Sequence, residues 1–181
     1  MNQSYRQQIT KLLSQLTNQP YVNKKILNKF FDWINKQSVL TKKEGAVNHI
    51  STFFLPVNKA SKSIYLVNHI KAELWIPPGG HIEQYELPKE TVVREFKEEL
   101  DYKLTNEKIQ LFDLSITPIN RPWQNCITHY DFWYLVYTER LPFKFLKKEF
   151  HNAGWFNFEE GLKKVTRPSI RNMIKNIVKI L

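Results

Sequence analysis

Residues 80–102 read GHIEQYELPKETVVREFKEELDY, and this stretch decides the fold. It places three carboxylates, Glu95, Glu98 and Glu99, within about 100° of one another on one helical turn. Three like charges at this spacing destabilise an isolated helix, so a bound cation is the natural compensation. Carboxylate oxygens suit Mg²⁺ or Mn²⁺ rather than zinc, and a metal that is open on its other side suits a phosphate-bearing substrate.

The spacing of the fixed residues in this stretch resembles the Nudix box, Gly-x5-Glu-x7-Arg-Glu-U-x-Glu-Glu-x-Gly-U, in which U is a bulky apolar residue. The matching residues are Gly80, Glu86, Arg94, Glu95, Phe96, Glu98, Glu99 and Tyr102. Fixed matches at this spacing should arise by chance in a chain of this length about once in 10⁵ to 10⁶. The alternative interpretation of the same residues is a solvated acidic helix face.

One position departs from the pattern, because Asp101 stands where the family has its second glycine. A glycine just past a helix end usually adopts the left-handed conformation, which aspartate also visits at a cost of about 1–2 kcal/mol. Aspartate also adds negative charge at a helix C-terminus, which is unfavourable. We expect the turn to form, with some loss of stability or metal affinity and no change of fold.

The resemblance implies an α/β/α sandwich with a mixed sheet, in which a strand, a turn and a helix carry the chemistry. It also implies that Glu95, Glu98 and Glu99 ligate a divalent metal, Mg²⁺ or Mn²⁺, with the backbone around Gly80 helping. The general base is left open between Glu95 and a residue outside the box. A carboxylate can fill this role because it can take a proton from an attacking water.

Arg94 is the cation within the box, and it lies four residues from both Glu90 and Glu98, within reach of helical ion pairs. We therefore expect Arg94 to hold carboxylates in position rather than to bind substrate. Glu86 lies at the start of the helix, where the helix dipole favours a negative charge. The resemblance implies a structural role for Glu86.

Residues outside the box give weaker signals. Glu149 lies six residues before Trp155, where some family members place an extra metal-binding or base glutamate; a solvated loop glutamate is the alternative. His81 follows the Gly-Gly turn directly and could reach the cleft. Arg121 and Trp123 lie in a proline-containing loop that could hold a phosphate and stack a base, and an ordinary turn is the alternative.

Two further patterns bear on the site. His129 and Asp131 are spaced to lie on the same face of a strand, where a satisfied buried polar pair is at least as good an interpretation. His49, just before the first strand, is a similar case. Pro118 lies sixteen residues after Tyr102, a position at which ADP-ribose pyrophosphatases of the resembled family often carry a proline.

The composition indicates a globular protein and excludes a disordered chain. With 181 residues, 42% of them hydrophobic, the chain can bury a core as one domain, and its net charge of +10 favours anionic partners. The lysines are dispersed, which is typical of a generally basic surface and does not favour nucleic acid as the partner. Cys126 is the single cysteine, so no intramolecular disulfide forms. We expect a cytoplasmic protein, since the sequence shows neither a signal peptide nor an apolar run long enough to span a membrane.

The order of predicted elements gives an N-terminal helical extension, residues 1–44, and the resemblance implies a Nudix domain over residues 45–181. Two amphipathic helices in the extension pack onto the domain or form a homodimer contact, and packing is favoured. Thr41–Gly45 is predicted to be a polar linker. A helix ending near Leu100 should bury a stripe made of Val92, Val93, Phe96 and Leu100. The predicted strands are Ile50–Val57, Ser63–Asn68, Glu73–Ile76, Lys108–Thr117, Ile127–Thr138 and Trp155–Phe158, with further helices near Glu159 and from about Pro168.

These patterns favour an enzyme, a divalent-metal-dependent hydrolase that cleaves a diphosphate bond in a nucleoside diphosphate derivative. ADP-ribose-like compounds are the leading candidates for its substrate. A nucleotide-sensing module without turnover is an alternative, although a pure sensor has no need for three metal ligands. An RNA-directed pyrophosphohydrolase is another, which the basic charge permits.

Overall fold

The computed structural model describes residues 3–119, 125–139 and 141–181. The helices within these ranges are α1 (Gln3–Ser14), α2 (Lys24–Lys36), α3 (Pro88–Leu100), α4 (Phe158–Lys164) and α5 (Pro168–Ile180). The strands are β1 (Asn48–Asn58), β2 (Ser63–His69), β3 (Leu74–Ile76), β4 (Gly79–His81), β5 (Lys108–Pro118), β6 (Thr128–Tyr137) and β7 (Phe150–Asn157). No helix in the described part of the chain is both long and apolar enough to cross a membrane.

The strands of the described residues form a seven-stranded sheet in the order β3-β2-β1-β6-β5, with β4 paired to β1 and β7 paired to β2. Strand β2 runs antiparallel to β1, β3 and β7, and its pairing with β7 extends from Ser63 opposite Asn157 to His69 opposite Phe150. In β6, the residues Phe132–Val136 are all buried. The continuous apolar run in the sequence predicted this strand, because a strand buried on both faces needs no polar alternation.

Acidic side chains hold the start of helix α3 through hydrogen bonds. The Glu90 carboxylate accepts a hydrogen bond from the Leu87 N–H at 2.7 Å, and the Glu86 carboxylate accepts from the Glu83 N–H at 3.0 Å and the Thr91 hydroxyl at 2.8 Å. Proline is the first helical residue, a position where its missing N–H costs nothing. These contacts fix the entry into the helix that carries the box carboxylates.

The other end of α3 shows one prediction confirmed and one wrong. Asp101 has a φ of 48°, the left-handed conformation expected of the residue in the place of the family's glycine. Val92, Phe96 and Leu100 are fully buried, whereas Val93 is 40% exposed and lies outside the buried stripe. At 100° per residue, Val93 falls at the margin of the arc defined by the other three side chains, where the stripe meets solvent.

Three segments differ from the sequence predictions. The last strand begins at Phe150 rather than Trp155, because pairing with β2 satisfies the backbone of a stretch that contains few β-favouring side chains. The Gly-Gly turn expected directly before His81 instead lies in strand β4. The predicted polar linker contains a buried Thr41, whose hydroxyl donates to the Glu44 carboxylate at 2.7 Å.

The described chain divides into two compact units, which we treat separately. The first comprises Met1–Thr52, Gly80–Thr91 and Leu111–Trp133. Within it, the Tyr5 hydroxyl of α1 donates to the Glu86 carbonyl at 2.8 Å, and Trp33 of α2 stacks on Tyr130 of β6 at 3.8 Å between ring centroids. These contacts show the N-terminal helices packed within this unit, as the favoured interpretation expected; the domain boundary at residue 44 stays a prediction.

The second unit comprises Phe53–Gly79, Val92–Gln110 and Tyr134–Leu181. Its centre is a group of aromatic rings from three elements and a loop, since Phe143 contacts Tyr65, Phe96 and Trp155 edge-on or tilted. Helix α4 lies close to β2 at Gly161, where an added Cβ would approach the Ile64 Cδ1 atom to 2.7 Å. This packing supports the segment of α3 that carries the carboxylates.

Candidate functional site

The three box carboxylates lie in the second unit on one turn of α3, and their exposure is graded. The exposed fraction of the side chain is 13% for Glu95 and 55% for Glu98, while Glu99 is only 3% exposed. One turn therefore offers one carboxylate in the interior, one mostly covered and one largely open to solvent. The face predicted from the 3.6-residue spacing thus lies at the boundary between the core and solvent.

Arg94 lies between two of these carboxylates. Its Nη1 atom donates to Glu95 at 2.8 Å and to Glu98 at 3.3 Å. The contact with Glu98 is the ion pair predicted four residues along the helix, whereas the contact with the adjacent Glu95 was not predicted. Glu90, the other predicted partner, caps the first turn of the helix through its contact with Leu87. The position of Arg94 fits the proposed role of holding carboxylates in place.

Glu99 is a buried carboxylate with a backbone partner. The Gly79 N–H donates to its Oε2 atom at 2.9 Å, a contact that favours the ionised form. Burial has the larger, opposite effect, and together with the charges of Glu95 and Glu149 it raises the pKa of Glu99 well above its ordinary value. Burial also raises the pKa of Glu95, although the Arg94 charge opposes the change.

Glu149 joins this carboxylate group from the loop before β7. Its charge contributes to the raised pKa of both Glu95 and Glu99. Backbone contacts place the loop: the Leu146 N–H donates to the Glu99 carbonyl at 2.8 Å, and the Glu149 N–H donates to the Leu146 carbonyl at 2.9 Å. The single match in the sequence could not show this proximity, which depends on how the loop is anchored to the end of α3.

The carboxylate site, defined as Glu95, Glu98, Glu99 and Glu149, therefore contains four acidic groups and one arginine within reach of two of them. Excess negative charge in a partly buried place is costly unless a cation or protons compensate it. Oxygen-only donors suit a hard divalent cation such as Mg²⁺ or Mn²⁺. The donor set thus fits the metal that the sequence led us to expect.

The remaining box residues lie at the start of the motif. Gly80 is in strand β4, directly after Gly79, whose N–H holds Glu99. Glu86 accepts hydrogen bonds from Glu83 and Thr91, which fits the structural role implied for it. Arg121 and Trp123, predicted to bind substrate, lie outside the described residues. That the backbone at Gly80 contributes a metal ligand stays a prediction.

His81 lies in a polar group that sequence reasoning did not assemble. In the first unit it lies with three other potential ligands, and one donor atom from each of the four residues lies within 4.8 Å of the others; the other members are His49, Cys126 and His129. Burial lowers the pKa of His81 to about 3, so its ring is neutral. The structure places the His81 side chain in this polar group. Its contact with substrate stays a prediction.

Asp131, predicted on the same strand face as His129, is fully buried and hydrogen-bonded. Its carboxylate accepts from the hydroxyl groups of Ser51, Ser115 and Thr117, at distances between 2.5 and 2.7 Å. It thus matches the satisfied buried polar group that was one of the two interpretations. Hydroxyl residues at alternate positions of β5 were the available signal, but their strand partner could not be read from the sequence.

Solved structures show the same fold. The E. coli dihydroneopterin triphosphate pyrophosphohydrolase aligns with a TM-score of 0.65 at 14% identity, covering 80% of this chain and 100% of that one. A NUDIX-family hydrolase from Clostridium perfringens aligns with a TM-score of 0.54 at 26% identity, covering 73% and 97% of the two chains. The MutT protein from Methanosarcina mazei Go1 gives a TM-score of 0.60 at 18% identity, with coverage of 74% and 94%. The predicted α/β/α sandwich with a mixed sheet is thereby confirmed.

The family model for the NUDIX domain matches residues 47–177. This chain belongs to the NUDIX family, and it is a Nudix hydrolase. A comparison with curated protein sequences gives no match. The matched span contains the box, Glu149 and every strand of the described sheet, so the predicted family is confirmed.

Replacing Arg94 tests the positioning role. We expect Arg94→Ala to lower the melting temperature by about 2–4 °C and to weaken Mg²⁺ binding, because Glu95 and Glu98 lose the group that holds them. Arg94→Lys should recover only part of both losses, since an ammonium group lacks the forked geometry of a guanidinium. Thermal unfolding with and without Mg²⁺ measures both effects. A variant with normal metal binding and a loss confined to substrate affinity would reassign Arg94 to the substrate.

Proposed function

We propose that this protein is a divalent-metal-dependent hydrolase that cleaves a diphosphate bond in a nucleoside diphosphate derivative. The observation that carries the proposal is the carboxylate site, in which burial and the charges of neighbouring glutamates raise the pKa of Glu99 well above its ordinary value and burial raises the pKa of Glu95. Such a charge excess is typical of a cation site. Mg²⁺ or Mn²⁺ held by these carboxylates would neutralise the diphosphate charge and orient an attacking water.

The residues of the chain have distinct tasks in this proposal. Glu98 and Glu99 supply oxygen ligands, and the Gly79 N–H fixes the orientation of Glu99. Arg94 limits the repulsion between Glu95 and Glu98 by contacting both. The general base, which takes a proton from the water, is Glu95 or Glu149: burial raises the pKa of Glu95 despite the opposing Arg94 charge, and a raised pKa makes a carboxylate a stronger base.

An ADP-ribose-like compound is the leading substrate. Pro118, the residue behind this choice, is the last residue of β5. The basic surface, with a net charge of +10, suits an anionic substrate of this kind. Structural neighbours are named for other compounds, dihydroneopterin triphosphate and Ap4A, so the substrate screen must extend beyond ADP-ribose.

Experiments can distinguish two alternative functions from the proposed hydrolase. A nucleotide sensor without turnover would bind ligand at the same site, but it gains nothing from four carboxylates that need a metal. An RNA-directed pyrophosphohydrolase would use the basic surface and would bind with steep salt dependence, which a small-nucleotide enzyme would not show. That the protein is cytoplasmic and that it forms a homodimer both stay proposals.

A substrate screen tests the function. We would incubate the protein with ADP-ribose, nucleoside triphosphates, dinucleoside polyphosphates and 5′-triphosphate RNA in millimolar Mg²⁺, with a phosphatase to release phosphate from the products. Hydrolysis of at least one nucleotide, abolished by EDTA and restored by excess Mg²⁺, is the expected result. Full activity in EDTA would overturn the metal-dependent mechanism, and binding without hydrolysis of any compound would favour the sensor.

A further inference from the structure

The polar group around His81 has the composition of a transition-metal site. We call it the His-Cys cluster; its members are His49, His81, Cys126 and His129, and one potential donor atom from each lies within 4.8 Å of the others. His49 and Cys126 are buried, and the other two residues are half-buried. Imidazole nitrogen and thiolate sulfur are ligands of zinc, whereas Mg²⁺ prefers oxygen. The cluster therefore differs in chemistry from the carboxylate site.

The spacing of the donors is close to that of a tetrahedral centre. With Zn–N bonds of about 2.0–2.1 Å and a Zn–S bond of about 2.3 Å, neighbouring ligand atoms in a tetrahedron lie about 3.3–3.6 Å apart. The Nε2 atoms of His81 and His129 lie 3.3 Å apart. The widest separation, 4.8 Å, closes to this value with shifts of about 1 Å, which small side-chain rotations supply.

His49 is arranged as a metal-binding histidine is. Its Nδ1 atom lies 2.8 Å from the Ala46 carbonyl, which can only accept, so Nδ1 carries the proton and Nε2 has a free lone pair. The Nε2 atom is buried and has no hydrogen-bond partner among the described residues. An unsatisfied buried nitrogen is costly, and a metal ion would satisfy it. Metal-ligating histidines commonly donate their second N–H to a backbone carbonyl in this way.

The backbone brings Cys126 to the same place. The Ile127 N–H donates to the Val47 carbonyl at 2.8 Å, which holds the residue after Cys126 beside the segment that leads to His49. The ligands then come from β1, β4, β6 and the segment before β6. A metal bound here would join parts of the first unit that are distant in sequence.

We propose that the His-Cys cluster binds one Zn²⁺ ion as a structural site, separate from the divalent metal of hydrolysis. Four protein ligands complete a tetrahedron and leave no position for a reactive water, which is the pattern of structural rather than catalytic zinc. The ligand forms are the Cys126 thiolate and neutral imidazoles, so binding displaces the thiol proton, and each histidine keeps its one proton on the ring nitrogen that faces away from the metal. The proposal does not depend on the substrate or on turnover.

Cobalt spectroscopy of the intact protein tests the site. Co²⁺ added to metal-free protein should give the strong visible bands of tetrahedral coordination together with a sulfur-to-cobalt charge-transfer band, and these bands should saturate at one equivalent. Zn²⁺ should displace the bound Co²⁺ and bind with a dissociation constant below about 1 μM, whereas millimolar Mg²⁺ should not displace Co²⁺. Since Cys126 is the single cysteine, a sulfur band assigns the site without any variant. Absence of both spectral features from the wild-type protein would overturn the proposal.

Two variants locate the ligands. Cys126→Ser should lose the charge-transfer band, and His129→Gln should weaken Zn²⁺ binding at least tenfold. The exposed His151, outside the cluster, supplies the matched control, and His151→Gln should bind Zn²⁺ as the wild type does. An unchanged cobalt spectrum in Cys126→Ser would contradict the assignment. Glu98→Gln, which alters the carboxylate site, should leave the cobalt spectrum intact, so failure of the proposed hydrolase function would not be mistaken for failure of this site.

Discussion

Glu98→Gln should lower turnover on a confirmed substrate by a factor on the order of 10²–10⁴, equivalent to about 3–5 kcal/mol in the activation free energy. The substitution keeps the size of the side chain and removes one negative charge from the carboxylate site. The free energy of unfolding should change little, because Glu98 is 55% exposed and its contact with Arg94 is the longer of the two. Reduced repulsion from Glu95 and Glu99 offsets the loss of that contact.

The measurement is the steady-state rate at saturating Mg²⁺, with thermal unfolding as the check on folding. Glu159→Gln is a matched control, since Glu159 is an exposed helical glutamate that pairs with a lysine four residues on, and it should leave turnover unchanged. A sensor would show altered ligand affinity and no turnover to lose. Wild-type turnover in Glu98→Gln would mean that the chemistry lies elsewhere in the molecule.

Glu99→Gln should stabilise the metal-free protein and remove most of its stabilisation by Mg²⁺. The pKa of Glu99 in the folded protein lies well above its ordinary value of 4.5 because the group is buried near other carboxylates. The folded state therefore holds a proton that the unfolded state has released, and stability falls as the pH rises above about 4.5. A neutral amide does not carry this cost, so the melting temperature at neutral pH should rise by about 2–4 °C or more.

The pH dependence supplies the second readout for Glu99. In the wild type, Mg²⁺ must displace the proton, so the Mg²⁺-induced rise in melting temperature should grow as the pH rises above the ordinary carboxyl value of 4.5. In Glu99→Gln both this rise and the loss of metal-free stability with pH should be smaller, and Glu159→Gln should behave as the wild type. Identical pH profiles for the wild type and Glu99→Gln would show that the buried carboxyl does not control the site.

The sequence was sufficient for those features that depend on local spacing. The positions of Glu95, Glu98 and Glu99 on one helical turn follow from the helical repeat, and the left-handed turn at Asp101 follows from the box pattern. Strand β6 could be predicted because its apolar run has no polar interruption. Each of these features is fixed by residues close together in the chain.

Features that depend on distant contacts could not be predicted in the same way. The His-Cys cluster joins residues between 49 and 129, and no linear spacing marks them as ligands. The first half of β7 is held by pairing with β2 rather than by strand-forming side chains, so its start was missed. Val93 was misassigned because the edge of a buried helical stripe depends on what packs beside it.

Binding of Mn²⁺ measured by electron paramagnetic resonance tests the central claim most directly, because it needs neither a known substrate nor turnover. With the His-Cys cluster first filled with Zn²⁺, the wild type should still bind Mn²⁺ and release it to excess Mg²⁺. Glu98→Gln and Glu99→Gln should each weaken that binding at least tenfold, and Glu159→Gln should match the wild type. Equal Mn²⁺ affinity in all four proteins would contradict the assignment of the divalent metal to the carboxylate site.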